Sequence, residues 1–181
     1  MLKLCVFVLL MSSVAYSQES LEGPGPTLPL IKKVENKGES RVHIGLNLGI
    51  NSPEGSRGST PELGLDIGYQ PLIPFGLGVE LSTSRFSGGD DEFHKRTTLL
   101  FRGTYNFGGD IPLIKHSYFG AAAGPVFLSD GSEMAFAPVM GFDVPLDVER
   151  RFSLGFIAKY LFVTSKDPDS MITSAAFKYW F

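Results

Sequence analysis

The chain has 181 residues, room for one domain, and its 21 glycines are many for a helical protein. Charged residues make up only 19% and aromatic ones 12%, less charge than a soluble globule usually carries. With a formal net charge of −3 there is no general attraction for a polyanion, so nucleic acid is not an expected partner.

Residues 1–17 read as an export signal. Lys3 gives a positive start, residues 4–14 are apolar but too short to span a bilayer comfortably, and Ala15-Tyr16-Ser17 forms a small-x-small cleavage site before Gln18. An uncleaved anchor is the alternative. Cys5 is the single cysteine and lies inside this signal, too early for lipid attachment. The mature chain would therefore hold neither a disulfide nor a cysteine metal site. Residues 18–40 contain Gly23-Pro24-Gly25-Pro26 and Pro29 among mixed Lys and Glu, with no periodicity, and read as a flexible periplasmic lead-in.

Across residues 41–181, segments of about ten residues alternate bulky apolar with small or polar side chains, separated by turn formers. The first sets Val42, Ile44, Leu46, Leu48 and Ile50 against His43, Gly45, Asn47, Gly49 and Asn51. The second sets Leu63, Leu65, Ile67 and Tyr69 against Glu62, Gly64, Asp66 and Gly68. In the third, Phe75, Leu77, Val79 and Leu81 oppose Gly76, Gly78, Glu80 and Ser82; in the fourth, Thr97, Leu99, Phe101 and Tyr105 oppose Arg96, Thr98, Arg102 and Thr104. The fifth, about residues 117–128, is rich in Ala and Gly on both faces and does not declare a facing. The sixth sets Met134, Phe136, Met140 and Phe142 against Ala135, Ala137, Val139, Gly141 and Asp143. The seventh sets Phe152, Leu154 and Phe156 against Arg151, Ser153, Gly155, Ile157 and Lys159. The eighth sets Met171, Ala175, Phe177, Tyr179 and Phe181 against Ser174, Ala176, Lys178 and Trp180. Eight strands, an even number, predict an antiparallel up-and-down barrel.

Alternation alone fits both a membrane barrel and a soluble lipocalin-like carrier, since each has one apolar face. The bulky face carries no charge in the seven clear segments, while the other face is crowded with Gly, Ala and Ser. Glycine weakens an exposed strand, whereas small side chains suit the narrow interior of an eight-stranded tube. The bulky face therefore points outward, to lipid.

The end of the chain carries Phe177, Tyr179 and Phe181 at period two. Here the sequence resembles the small outer-membrane barrels of diderm bacteria, the OmpA/OmpX/OmpW-like class. The resemblance covers about residues 41–181 and is one of pattern more than of shared motif. It implies an eight-stranded transmembrane β-barrel in the outer membrane, and at Phe177, Tyr179 and Phe181 the aromatic signal that the barrel-assembly machinery recognises. It also implies contact with outer-membrane lipid and lipopolysaccharide, and a monomer. With both ends periplasmic, Tyr69, Phe75, Tyr105, Phe107, Phe142, Phe152 and Tyr179 gather into an aromatic girdle at that rim. The outer loops, near residues 51–60, 87–95, 129–133 and 164–170, are short for the class.

The charges expected to face inward are Glu62, Asp66, Glu80, Asp143, Arg96, Arg102, Arg151, Lys159 and Lys178, with His43 nearby. Folding the third and fourth segments about Asp91 sets Glu80 opposite Arg102, and folding the second and third near Leu72 brings Asp66 to Glu80 on the diagonal. A lumen cluster of Asp66, Glu80 and Arg102 is expected, with Lys159 and Asp143 on the far wall. Buried charges must be paired, so the plain reading is a salt-bridged plug; the alternative is a charge gate in a narrow ion path. A lipid-modifying enzyme would need a base in reach of a hydroxyl. The nearest candidates, His94 with Ser84 or Ser87 and Asp90 or Asp91, read better as a solvated loop, and the protein is not expected to be an enzyme. The three histidines (43, 94 and 116) lack ligand spacing, and no metal or other cofactor is expected.

Overall fold

A computed structural model of the chain describes residues 40–55, 58–72, 74–87, 93–108, 111–129, 131–164 and 168–181. The expected export signal and lead-in, apart from Ser40, lie outside the described residues. Eight strands run in chain order: β1 (Arg41–Pro53), β2 (Thr60–Leu72), β3 (Phe75–Ser87), β4 (Phe93–Asn106), β5 (Ser117–Leu128), β6 (Gly131–Pro145), β7 (Phe152–Val163) and β8 (Ser170–Trp180). Each pairs antiparallel with its chain neighbour, and β8 returns to β1, with His43 opposite Trp180 and Pro53 opposite Ser170. Closure leaves no strand edge, as a backbone in hydrocarbon requires. Strands of 11 to 15 residues exceed the roughly nine to eleven that a tilted crossing needs.

The alternation places the bulky residues outside. Ile44, Leu48, Ile50, Leu65, Ile67, Phe75, Leu77, Phe101, Met134 and Leu154 are all exposed, an apolar belt that water would not tolerate and lipid does. In β5, Phe119, Ala121, Ala123 and Phe127 join this face, while Tyr118, Ala122 and Val126 turn inward. Near the end bearing the termini, Phe119 stacks obliquely with Tyr105 and Phe107 at 5.6 and 5.3 Å, and Phe75 meets Tyr105 edge-on at 5.7 Å. On the other side of that rim Tyr179 lies 5.1 Å from Phe152 and meets Phe181 edge-on at 4.9 Å.

Inside, the luminal glycines have a specific use. Five of them sit directly across a strand pair from a larger polar side chain: Gly68 from His43, Gly45 from Lys178, Gly78 from Arg102, Gly155 from Asp143 and Gly141 from Tyr118. A Cβ at Gly68 would lie 2.1 Å from the His43 ring, and one at Gly155 would lie 2.1 Å from a carboxylate oxygen of Asp143. The missing side chain on one strand is the seat of the large one on the next.

The interior has two unlike walls. Polar and charged groups of β1 to β4 line one, and the other is an apolar patch centred on β5 and β6, where Ala122, Val126, Ala135, Ala137 and Val139 pack with Ile157, Leu161 and Ile172. Apart from a register shift between Tyr69 and Leu72 at the β2–β3 turn, the strand ladders are interrupted beside this second wall's prolines in those two strands. Between β4 and β5 the register skips the rungs at Gly124 and Pro125, and between β6 and β7 those at Ala137 and Pro138. Proline has no N–H to give the ladder on one side.

At the end bearing the termini, a one-turn helix, α1 (Pro112–Lys115), sits in the connection from β4 to β5. The β6–β7 turn is closed by Asp147, whose carboxylate accepts the backbone N–H of Phe152 at 2.8 Å and of Arg151 at 3.1 Å. Those bonds, that from Phe152 foremost, hold the Asp147 carboxyl below its usual range. Arg151, expected inside, is exposed in this turn and pairs with Glu149 at 2.8 Å. It precedes the first residue of β7, so the alternation does not reach it.

Candidate functional site

The polar wall fills the barrel with ion pairs. Lys159, from β7, reaches across to β2 and β3, where its Nζ donates to Glu80 and lies 3.0 Å from Glu62. Glu80 in turn faces Arg102 at 3.7 Å, and the Arg102 Nη2 donates to both oxygens of Asp66 at 2.9 Å. Asp66 also holds the His43 Nε2 at 2.9 Å, and the His43 ring lies 4.3 Å from that of Trp180. Glu62, Lys159, Glu80, Arg102 and Asp66 thus form one series of alternating charge along the lumen, with His43 hydrogen-bonded at its end. Lys178 makes a separate pair with Asp143 at 2.6 Å and stands 5.2 Å over the Tyr118 ring. Arg96 donates to Ser170 Oγ at 2.6 Å and stands opposite Ser84, which accepts from Asn51.

Among the described residues, the carboxylates facing inward are Glu62, Asp66, Glu80 and Asp143, and the cations are Arg96, Arg102, Lys159 and Lys178. Even the largest are almost wholly covered, Arg96 to 1% exposure and Lys159 to 3%. Charges so far from water are tolerable only when paired or hydrogen-bonded; Arg102, Lys159 and Lys178 take the carboxylates, and Arg96 donates to Ser170 and the Pro168 carbonyl.

The register differs in detail from the expectation. Glu80 stands opposite Leu100, and Arg102 opposite Gly78. The hairpin midpoint lies one residue earlier than Asp91, so Arg102 meets Glu80 on the diagonal. Conversely, Asp66 and Glu80 are directly opposite, not diagonal. Two carboxylates face to face would repel; Arg102 pairs with both, and Lys159 adds a second cation to Glu80. Lys159 and Asp143 stand on β7 and β6, but the Lys159 ammonium crosses the lumen to join the first cluster while Asp143 pairs with Lys178. Of the residues suggested for an enzyme site, Ser84 is buried and accepts from Asn51, while Asp90 and Asp91 lie outside the described residues.

At the end bearing the termini, a cavity of about 30 Å³ is lined by His43, Arg102, Tyr118, Asp143, Lys178 and Trp180, with other residues. Four buried atoms there have no hydrogen-bond partner among the described residues: His43 Nδ1, Arg102 Nη1, Tyr118 OH and Asp143 Oδ1. The space suits about one water, which would find its polar partners in these atoms. Tyr118 and Trp180 were not singled out from the sequence, because an aromatic in a strand reads first as lipid-facing. For Trp180 the inward parity of the eighth segment is the available signal; Tyr118 has none, because the fifth segment does not declare a facing.

No family model matches the chain, and no curated protein is similar to it in sequence. Among solved structures it is similar to Neisserial surface protein A, NspA (15% identity, TM-score 0.59, 78% of this chain and 97% of that one). It is also similar to the outer membrane protein OprG from Pseudomonas aeruginosa (13%, 0.52, 78% and 95%) and to Ail, the attachment invasion locus protein of Yersinia pestis (12%, 0.51, 78% and 97%). The chain has the fold of the small eight-stranded outer-membrane barrels. At these identities the likeness concerns architecture, and function must be argued from the lumen and the surfaces.

Proposed function

We propose that this protein is an integral outer-membrane barrel with a structural or anchoring role, its lumen sealed by its own ion pairs. The observation that carries this is Lys159, which spans the barrel from β7 to Glu62 and Glu80 and continues into the Arg102, Asp66 and His43 series. A water-filled path would have to break this network, leaving buried charges without partners. The reading places both ends of the barrel chain in the periplasm, exports the protein through residues 1–17, and has it act as a monomer. Phe177, Tyr179 and Phe181 would serve as the assembly signal; the outward, lipid-facing position of Phe177 and the exposure of Phe181 at the rim suit that use.

Expression in a diderm bacterium tests the placement. The protein should fractionate with outer membranes and migrate differently on gels before and after heating, whereas recovery in the soluble periplasmic extract would overturn it. The second reading, a narrow ion path, draws on the linear order of the luminal charges and the cavity beside them. Swelling of protein-loaded liposomes in small solutes would favour that path; unchanged light scattering would favour the sealed barrel.

A further inference from the structure

The outward face is uncharged along the belt until the β3–β4 hairpin, at the end away from the termini. There Arg85 stands directly opposite Lys95, both exposed and both on the outward parity of their strands. Like charges directly opposite destabilise a strand pair. Among the described residues, no carboxylate lies within ion-pair distance of either. These are also the only cations among the described residues that face outward at that end.

The rows beneath them are ordered by polarity. Thr83 is opposite Thr97, and Leu81 is opposite Leu99, so the same face passes from leucine to threonine to cation. Successive rows on one face lie about 7 Å apart along a strand. Other hairpin tips at that end carry Ser52 bonded to Ser59 and Phe127 opposite Ser132, with no cation in either pair. Acyl chain, hydroxylated headgroup and phosphate follow the same order in a phosphorylated glycolipid. A guanidinium binds phosphate through two parallel N–H bonds, and a lysine beside it adds a point charge.

We propose that Arg85 and Lys95, with Thr83 and Thr97 below them, form a binding site for the phosphate-bearing headgroup of an outer-leaflet glycolipid. This rests on the outer-membrane reading, because only there does this end of the barrel meet the outer leaflet. Asp90, Asp91 and Glu92 follow in the connecting loop and lie outside the described residues. If they neutralised the pair, no preference for phosphorylated lipid would appear.

The test uses the full chain inserted in nanodiscs. Affinity is measured for bisphosphorylated lipid A, the same lipid after enzymatic dephosphorylation, and inorganic phosphate. The wild type should prefer the phosphorylated lipid by about thirtyfold, and each of Arg85→Gln and Lys95→Gln should lower that ratio about fivefold. Lys115→Gln, at the opposite end, should leave it unchanged, and heat-modifiable migration confirms that every variant is inserted. Equal binding of both lipids, a ratio unaffected by the double variant, or equally tight binding of inorganic phosphate would overturn the site. Insertion without phosphate preference would sink only this proposal, whereas failure to insert would also sink the outer-membrane reading.

Discussion

The two walls of the lumen solve the same packing problem by different means. Along β1 to β4 the interior is filled by long polar side chains seated over glycines, as Arg102 is over Gly78 and His43 over Gly68. Around β5 and β6 it is filled by Ala, Val and Ile, and there the ladders skip rungs at Pro125 and Pro138. An apolar wall leaves no side-chain donor or acceptor to satisfy, so a missing rung is the only local loss. On the charged wall the register shift between Tyr69 and Leu72 falls at the turn, beyond the ion-paired rung of Asp66 and Glu80, where a displaced partner would strand a charge.

If that contrast is right, the largest effect comes from the charged wall. Lys159→Met should lower unfolding free energy by about 3–5 kcal/mol, read from urea titrations in lipid vesicles, since Glu62 and Glu80 lose their shared cation. A loss below about 1 kcal/mol would mean that water reaches the cluster and screens it. Lys178→Met should cost less than Lys159→Met in the same titration, because the Asp143 side chain keeps 17% exposure.

On the apolar wall the penalty should be steric. Gly124→Ala would place a Cβ 2.1 Å from the Leu99 carbonyl oxygen, and should cost about 1–3 kcal/mol by pushing β4 and β5 apart. Pro138→Thr should change stability by less than about 1 kcal/mol, the added ladder bond offsetting the lost chain stiffness. Slow amide exchange at the new residue 138 would show the rung restored; fast exchange would mean that proline was not the cause of the gap.

The smallest effect lies outside both walls. Asp147→Asn should weaken the β6–β7 turn slightly, and only when wild-type Asp147 is ionised. The Asp147 carboxyl is held below its ordinary value, so its contribution is present above about pH 4 and fades as pH falls through the depressed value. Stability curves of the two proteins should converge in acid. A gap that persists there would assign the turn to something other than this carboxylate.

Much of this was legible from the alternation in seven of the eight strands. A bulky uncharged face opposite Gly, Ala and Ser fixes which side meets lipid, and hence that Asp66, Glu80 and Lys159 lie inside. The facing of β5 was not legible, because Ala and Gly occupy both parities between Phe119 and Gly124. Pairing distances were harder still. A hairpin midpoint misjudged by one residue moves each partner by two, which is why Arg102 stands opposite Gly78 and reaches Glu80 on the diagonal. The register shift between Tyr69 and Leu72 likewise depends on backbone geometry that residue types do not announce. The matching of glycines to large polar residues appears only once register is known.

The central claim is that this network of charges seals the barrel, and single-channel recording in planar bilayers meets it most directly. Wild-type protein, shown by heat-modifiable migration to be folded, should give no conductance steps above the bare membrane. Steady, ohmic steps from that same protein would contradict a sealed lumen.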